Sequence, residues 1–94
     1  MPSRSLKKSA VATHKFPSRM HIRCIGKNSD SLREQVLATV RRHVSGVPEK
    51  AVSQRMSNGG KYLSVTVTVV VENQSQYEAL FRELRKNPDI VSVL

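Results

Sequence analysis

Apolar and polar positions alternate over residues 20–25, with Met20, Ile22 and Cys24 on one face and His21, Arg23 and Ile25 on the other. That period of two predicts a short strand. Gly26-Lys27-Asn28-Ser29-Asp30 reads as a turn, and beyond it the period lengthens. Leu32, Val36, Val40 and Val44 recur at i+4, with Leu37 widening the stripe, so an amphipathic helix is expected from Ser31 to Val44. Arg33, Arg41 and Arg42 fall off the stripe. Ser31 and Glu34 have capping-box spacing, and Ser29 and Asp30 are the alternative caps. Gly46 suits the left-handed position after a helix, and Pro48 cannot continue one.

Residues 50–57 form a weak, polar strand, and Asn58-Gly59-Gly60 signals a hairpin because these residues accept positive φ at low cost. The strongest strand is predicted over Lys61–Val71, with Leu63, Val65, Val67 and Val69 on one face and Tyr62, Ser64, Thr66 and Thr68 on the other. Such alternation marks a sheet with one buried and one open face. Asn73 or Ser75 caps a second helix, whose Tyr77, Leu80, Phe81 and Leu84 follow the i, i+3, i+4, i+7 rule. Asn87-Pro88-Asp89 ends it, and Ile90–Leu94 is a last apolar strand. The order β-α-β-β-α-β, with one apolar stripe per helix, predicts an α+β ferredoxin-like sandwich. In it, a four-stranded antiparallel sheet of order 4-1-3-2 carries both helices on one face.

Residues 1–15 change the picture of the chain's beginning. They are polar and aperiodic, hold Arg4, Lys7, Lys8 and Lys15 and no acid, and bury too little to order themselves. A disordered basic tail is expected there, followed by one domain over 16–94. The chain carries a net charge of +9 from 16 basic and 7 acidic side chains, and the domain keeps a surplus after the tail is removed. A basic field favours acidic partners and polyanions. The absence of a long apolar run argues against a membrane span, and the single cysteine, Cys24, fits a reducing cytoplasmic compartment.

Candidate chemistry is sparse. Cys24 alternates inward with Met20 and Ile22, as inert packing does, while His21 points to the opposite face and cannot serve it as a base. His14, His21 and His43 have no metal-ligand spacing, and His43 suits the C-terminal end of its helix. No catalytic residue, metal or cofactor is expected, so the chain reads as a non-enzyme. The turn from Gly26 leads into a helix N-terminus, where an anion can be held. Gly26, Lys27, Asn28 and Asp30, with Arg23 and Tyr62 beside them, are therefore the candidate ligand or partner site. The open face should carry His21, Arg23, Tyr62, Ser64 and Thr66 and part of the second strand, with Ile25, Ile90 and Leu94 as apolar additions. Its single central aromatic is a poor platform for stacked bases. Lys50 and Arg55 would blunt the edge of the second strand. The alternative is a nucleic-acid surface made by Lys7 and Lys8 of the tail with Arg41 and Arg42 of the first helix.

From Phe16 to Leu94 the chain resembles the YbeD-like family of small bacterial domains of unassigned function. The resemblance lies in Phe16-Pro17, Ile22-x-x-Ile25-Gly26, Gln35-Val36 with Arg42-His43, Ser57-Asn58-Gly59, and Tyr62-x-Ser64-Val65. It continues in Leu80-x-x-Glu83-Leu84 and Ile90-Val91-x-Val93-Leu94. It implies an ACT-like fold, of the kind used by small regulatory modules that pair through their sheets and bind amino acids near the first strand–helix loop. Gly26 and Asp30-x-Leu32 are similar to that loop, but the Pro-Gly that often follows the Asp is missing. What the resemblance implies is a regulatory or adaptor domain. It would bind a protein partner, itself or a small metabolite, with a suspected link to lipoate metabolism.

Overall fold

The computed structural model describes residues 15–94. The elements run β1 (Ser18–Lys27), α1 (Leu32–His43), β2 (Val52–Met56), β3 (Tyr62–Val71), α2 (Gln74–Lys86) and β4 (Ile90–Val93), with single 3-10 turns at Glu49–Ala51 and Asn58–Gly60. The sheet is fully antiparallel, and its order β2-β3-β1-β4 is the expected 4-1-3-2 read from the other edge. The expected tail lies outside the described residues apart from Lys15.

β1 is longer than the alternation of Met20–Ile25 predicts. Its ten residues pair with all ten of β3, from Ser18 opposite Val71 to Lys27 opposite Tyr62. Gly26 and Lys27 therefore end a strand rather than begin a turn. The local pattern could not show this, because ladder hydrogen bonds, not apolar spacing, hold the strand's ends. The Asn58–Gly60 connection makes the expected hairpin, with positive φ at Gly59 and Gly60.

One layer of apolar side chains fills the space between sheet and helices. Ile22 and Cys24 from β1, Val65 and Val67 from β3, Leu32, Val36 and Val40 from α1, and Leu80 and Leu84 from α2 are fully buried in a single cluster. Leu63, Val69 and Val71 extend the β3 face expected from its alternation. Ile90 corrects the sequence reading. It is buried in this cluster, not on the open face, because it sits across from Gly26 on β1's inward side. A shift of register between Ile25 and Gly26 leaves Val91 outside the pairing and 64% exposed.

The helix starts were half legible. Ser31 occupies the cap position of α1, but its side chain makes no capping bond. Its hydroxyl accepts instead from Gln35 Nε2 at 2.9 Å, and Glu34 turns toward Arg33. At α2, Asn73 rather than Ser75 is the cap, and its Oδ1 accepts from the Gln76 amide at 2.9 Å. Asn73→Ala should therefore cost about 1 kcal/mol in urea denaturation, while Ser75→Ala should stay within about 0.5 kcal/mol.

Candidate functional site

The loop after β1 is fastened to the rest of the domain. The Asn28 side chain donates to the Gly60 carbonyl at 2.9 Å, and its amide donates to the Lys61 carbonyl at 3.0 Å. From the other side, Gln35 Nε2 donates to Asp89 Oδ2 at 3.1 Å, and Asn87 donates to Gln35 Oε1 at 2.8 Å. These bonds join the start of α1 to the turn that precedes β4. Gly26 is explained by the same closeness, since a Cβ there would stand 2.2 Å from the Asp89 carbonyl oxygen.

The six candidate residues thus divide. Gly26 faces the core, Asn28 braces the hairpin, and Asp30 is exposed in the loop. Arg23, Lys27 and Tyr62 share the open face, with Lys27 directly opposite Tyr62 and Arg23 opposite Thr66. Paired positions of an antiparallel ladder point to the same side. That rule adds Arg19, His21 and Ile25 from β1, Ser53 and Arg55 from β2, Ser64, Thr68 and Val70 from β3, and Ser92 from β4. Leu94, bonded by its backbone to Arg23 in both directions, extends the row and is 61% exposed. A shallow groove of about 570 Å3 crosses the face over Arg23, Ile25, Arg55, Tyr62, Ser64 and Thr66. A second open cleft of about 640 Å3 lies beside the start of β2, along the connection that follows α1, and reaches the face at Arg19, Ser53 and Thr68.

The charge on this face is one-sided. Its strands carry Arg19, Arg23, Lys27 and Arg55 and no acidic residue; none of the four is ion-paired among the described residues. Glu72, one residue past β3, lines the second cleft with Arg19 without pairing to it. Sequence reading places Arg23, Tyr62 and part of β2 on this face but gives Arg55 only an edge role and omits Arg19, because which side a residue takes depends on register.

The two arginines of α1 expected to bind nucleic acid are occupied. Arg41 donates twice to the Val47 carbonyl, at 3.0 and 2.8 Å, closing the α1–β2 connection. Arg42 donates to Glu83 of α2, and His43 Nε2 lies 2.6 Å from the same carboxylate. Lys7 and Lys8 lie outside the described residues. The bonds from Arg42 and then His43 hold the Glu83 carboxyl below its ordinary 4.5. A carboxylate lowered in this way stabilises the fold above its unfolded value and loses that contribution as pH falls through the folded one. As pH falls below about 4.5, Glu83→Gln should therefore lose less stability than the wild type in acid titrations of the urea midpoint.

Cys24 is fully buried, and desolvation pushes its thiol up to about 11. A thiol so placed is a poor nucleophile at neutral pH. His21 lies on the opposite face, 2.9 Å from the Thr68 hydroxyl. Among the described residues no group of three His, Cys, Asp or Glu side chains is placed to hold a metal ion, and no helix is long and apolar enough to cross a membrane.

Residues 12–94 match the model of a family described as a protein of unknown function, DUF493. The chain belongs to the DUF493 family. A UPF0250 protein of Shewanella loihica is 35% identical over 79 residues, covering 84% of this chain and 88% of that one. A UPF0250 protein of Leptothrix cholodnii is 32% identical over 79 residues, covering 84% and 87%. Among solved structures, protein HP0495 of Helicobacter pylori superposes with a TM-score of 0.65 at 23% identity, covering 100% of this chain and 94% of that one. The ACT domain of a GTP pyrophosphokinase from Chlorobium tepidum gives 0.62 at 14% identity, covering 82% and 83%. The DUF493 chain thus shares the ACT-like, ferredoxin-like fold, and the YbeD-like resemblance read from its residues agrees with the match.

Proposed function

We propose that this chain is a non-enzymatic regulatory or adaptor domain of the cytoplasm that docks a protein partner on its open sheet face. One observation carries the reading. The side of the sheet away from the helices is a continuous surface of arginine, tyrosine, hydroxyl and exposed apolar side chains, centred on the groove over Arg23, Ile25 and Arg55. Arginine and tyrosine dominate the energetics of protein interfaces, since each combines area with directed hydrogen bonds. In the loop that the family resemblance offers for a metabolite, the Asn28 side chain is bonded to the hairpin, and Gln35 of the helix that follows is bonded to the turn before β4. A metabolite role, including the link to lipoate metabolism, rests on the resemblance alone. It is tested by thermal shift with amino acids and lipoate-related compounds, where saturation at 100 Kd should add about 2.7 kcal/mol.

The adaptor reading is tested by capture from a native bacterial lysate with the immobilised full chain, in wild-type form and with Thr66→Trp. Thr66 sits mid-sheet between Ser53 and Arg23, so a bulky neutral side chain there blocks the face without altering charge. Partners lost on Thr66→Trp but kept when residues 1–15 are deleted support the reading. Partners indifferent to Thr66→Trp refute it.

A further inference from the structure

The domain's basicity is segregated. Of the twelve Lys and Arg in residues 16–94, the open face takes Arg19, Arg23, Lys27 and Arg55 and none of the seven acids, so the helices and loops are close to neutral. We infer that the docking partner presents an acidic protein segment, whose carboxylates pair with Arg23 and Arg55 across the groove. This rests on the adaptor reading above and adds the chemistry of the partner.

Four observations favour that occupant. Arg23 and Arg55 flank a floor of Ile25, Ser64 and Thr66, with Arg55 opposite Ser64 and Ser64 opposite Ile25. The groove thus offers two guanidinium forks around an apolar and hydroxyl base, which suits carboxylates interspersed with apolar side chains. A second copy of the chain does not fit, because two such faces would oppose four cations with four more. A nucleic acid would find phosphate contacts, but Tyr62 is the only tyrosine, phenylalanine or tryptophan on the strands of this face, and single strands gain much of their affinity by stacking on several aromatics. Arg19 and Lys27 lie four residues to either side of Arg23 along β1, so the field runs the length of the strand and orients an extended acidic segment along it.

The test is an NMR amide titration of the full chain with a twelve-residue peptide alternating Glu and Leu, run beside oligouridylate of the same length. The inference expects shifts concentrated on Arg23, Ile25, Arg55, Ser64 and Thr66. It also expects affinity that falls with salt and drops at least tenfold in R23E/R55E, but less than threefold in R82E/K86E, which removes equal charge from α2. Shifts confined to residues 1–15 or spread over the helices would overturn it, as would equal losses in the two double variants. Oligouridylate binding tenfold tighter at the same amides would overturn it in favour of a nucleic-acid partner. If the peptide fails while lysate capture still responds to Thr66→Trp, the acidic chemistry is wrong and the adaptor reading stands; if neither responds, both fall.

Discussion

Gly26→Ala is expected to remove a large share of the domain's folding stability. The added Cβ would lie 2.2 Å from the Asp89 carbonyl oxygen and 3.1 and 3.2 Å from the two methyl carbons of Leu32. Leu32 is itself fully buried, so its side chain has nowhere to swing. The oxygen belongs to the backbone of the turn before β4. That turn is fixed by the Asn87 side chain to the Asp89 amide, by Gln35 to Asp89, and by the Ile90 amide to the Asn87 carbonyl. Relief requires β4 to part from β1 where Gly26 faces Ile90. Overpacking of this kind costs about 3 kcal/mol or more. The domain's whole stability is about 4–12 kcal/mol at its size. Urea denaturation followed by circular dichroism checks it; a loss below about 1 kcal/mol would show that the turn yields. Gly46→Ala is the control. Gly46 has φ of +73° but open space around it, so only backbone strain of about 1–2 kcal/mol is expected there.

Leu80→Ala should cost about 2–5 kcal/mol. Leu80 lies mid-way along α2 and is fully buried in the single core cluster. Removing its branched end leaves a void that main-chain ladders on one side and α1 on the other keep open, so the loss exceeds simple transfer. Val91→Ala at a 64% exposed position should change stability by no more than about 0.5 kcal/mol. Similar losses at the two positions would mean that the core is not the single layer described here.

The i+4 series Leu32, Val36, Val40, the stripe Leu80, Phe81, Leu84 and the alternation Leu63, Val65, Val67, Val69 suffice to predict both helices, the long strand and their burial. Each is a local period that only one packing solution satisfies, so element order led directly to the sheet order. The candidate site was legible in part. Arg23 and Tyr62 lie on the open face as the alternation within each of their strands predicts, whereas Gly26 meets the Asp89 carbonyl and Asn28 bonds the Gly60 carbonyl, contacts that no local pattern shows.

What the sequence by itself determined is the fold class, the buried face of β3 and an overall positive charge. Tertiary structure alone decided that Ile90 turns inward, that Gly26 meets the Asp89 carbonyl, and that Arg42 and His43 converge on Glu83. It also decided that Arg19, Arg23, Lys27 and Arg55 share one face free of acids. The physical reason is range. Periodicity reports which side of an element is apolar, whereas strand register and close backbone approach join residues distant along the chain, and no local pattern encodes those pairings.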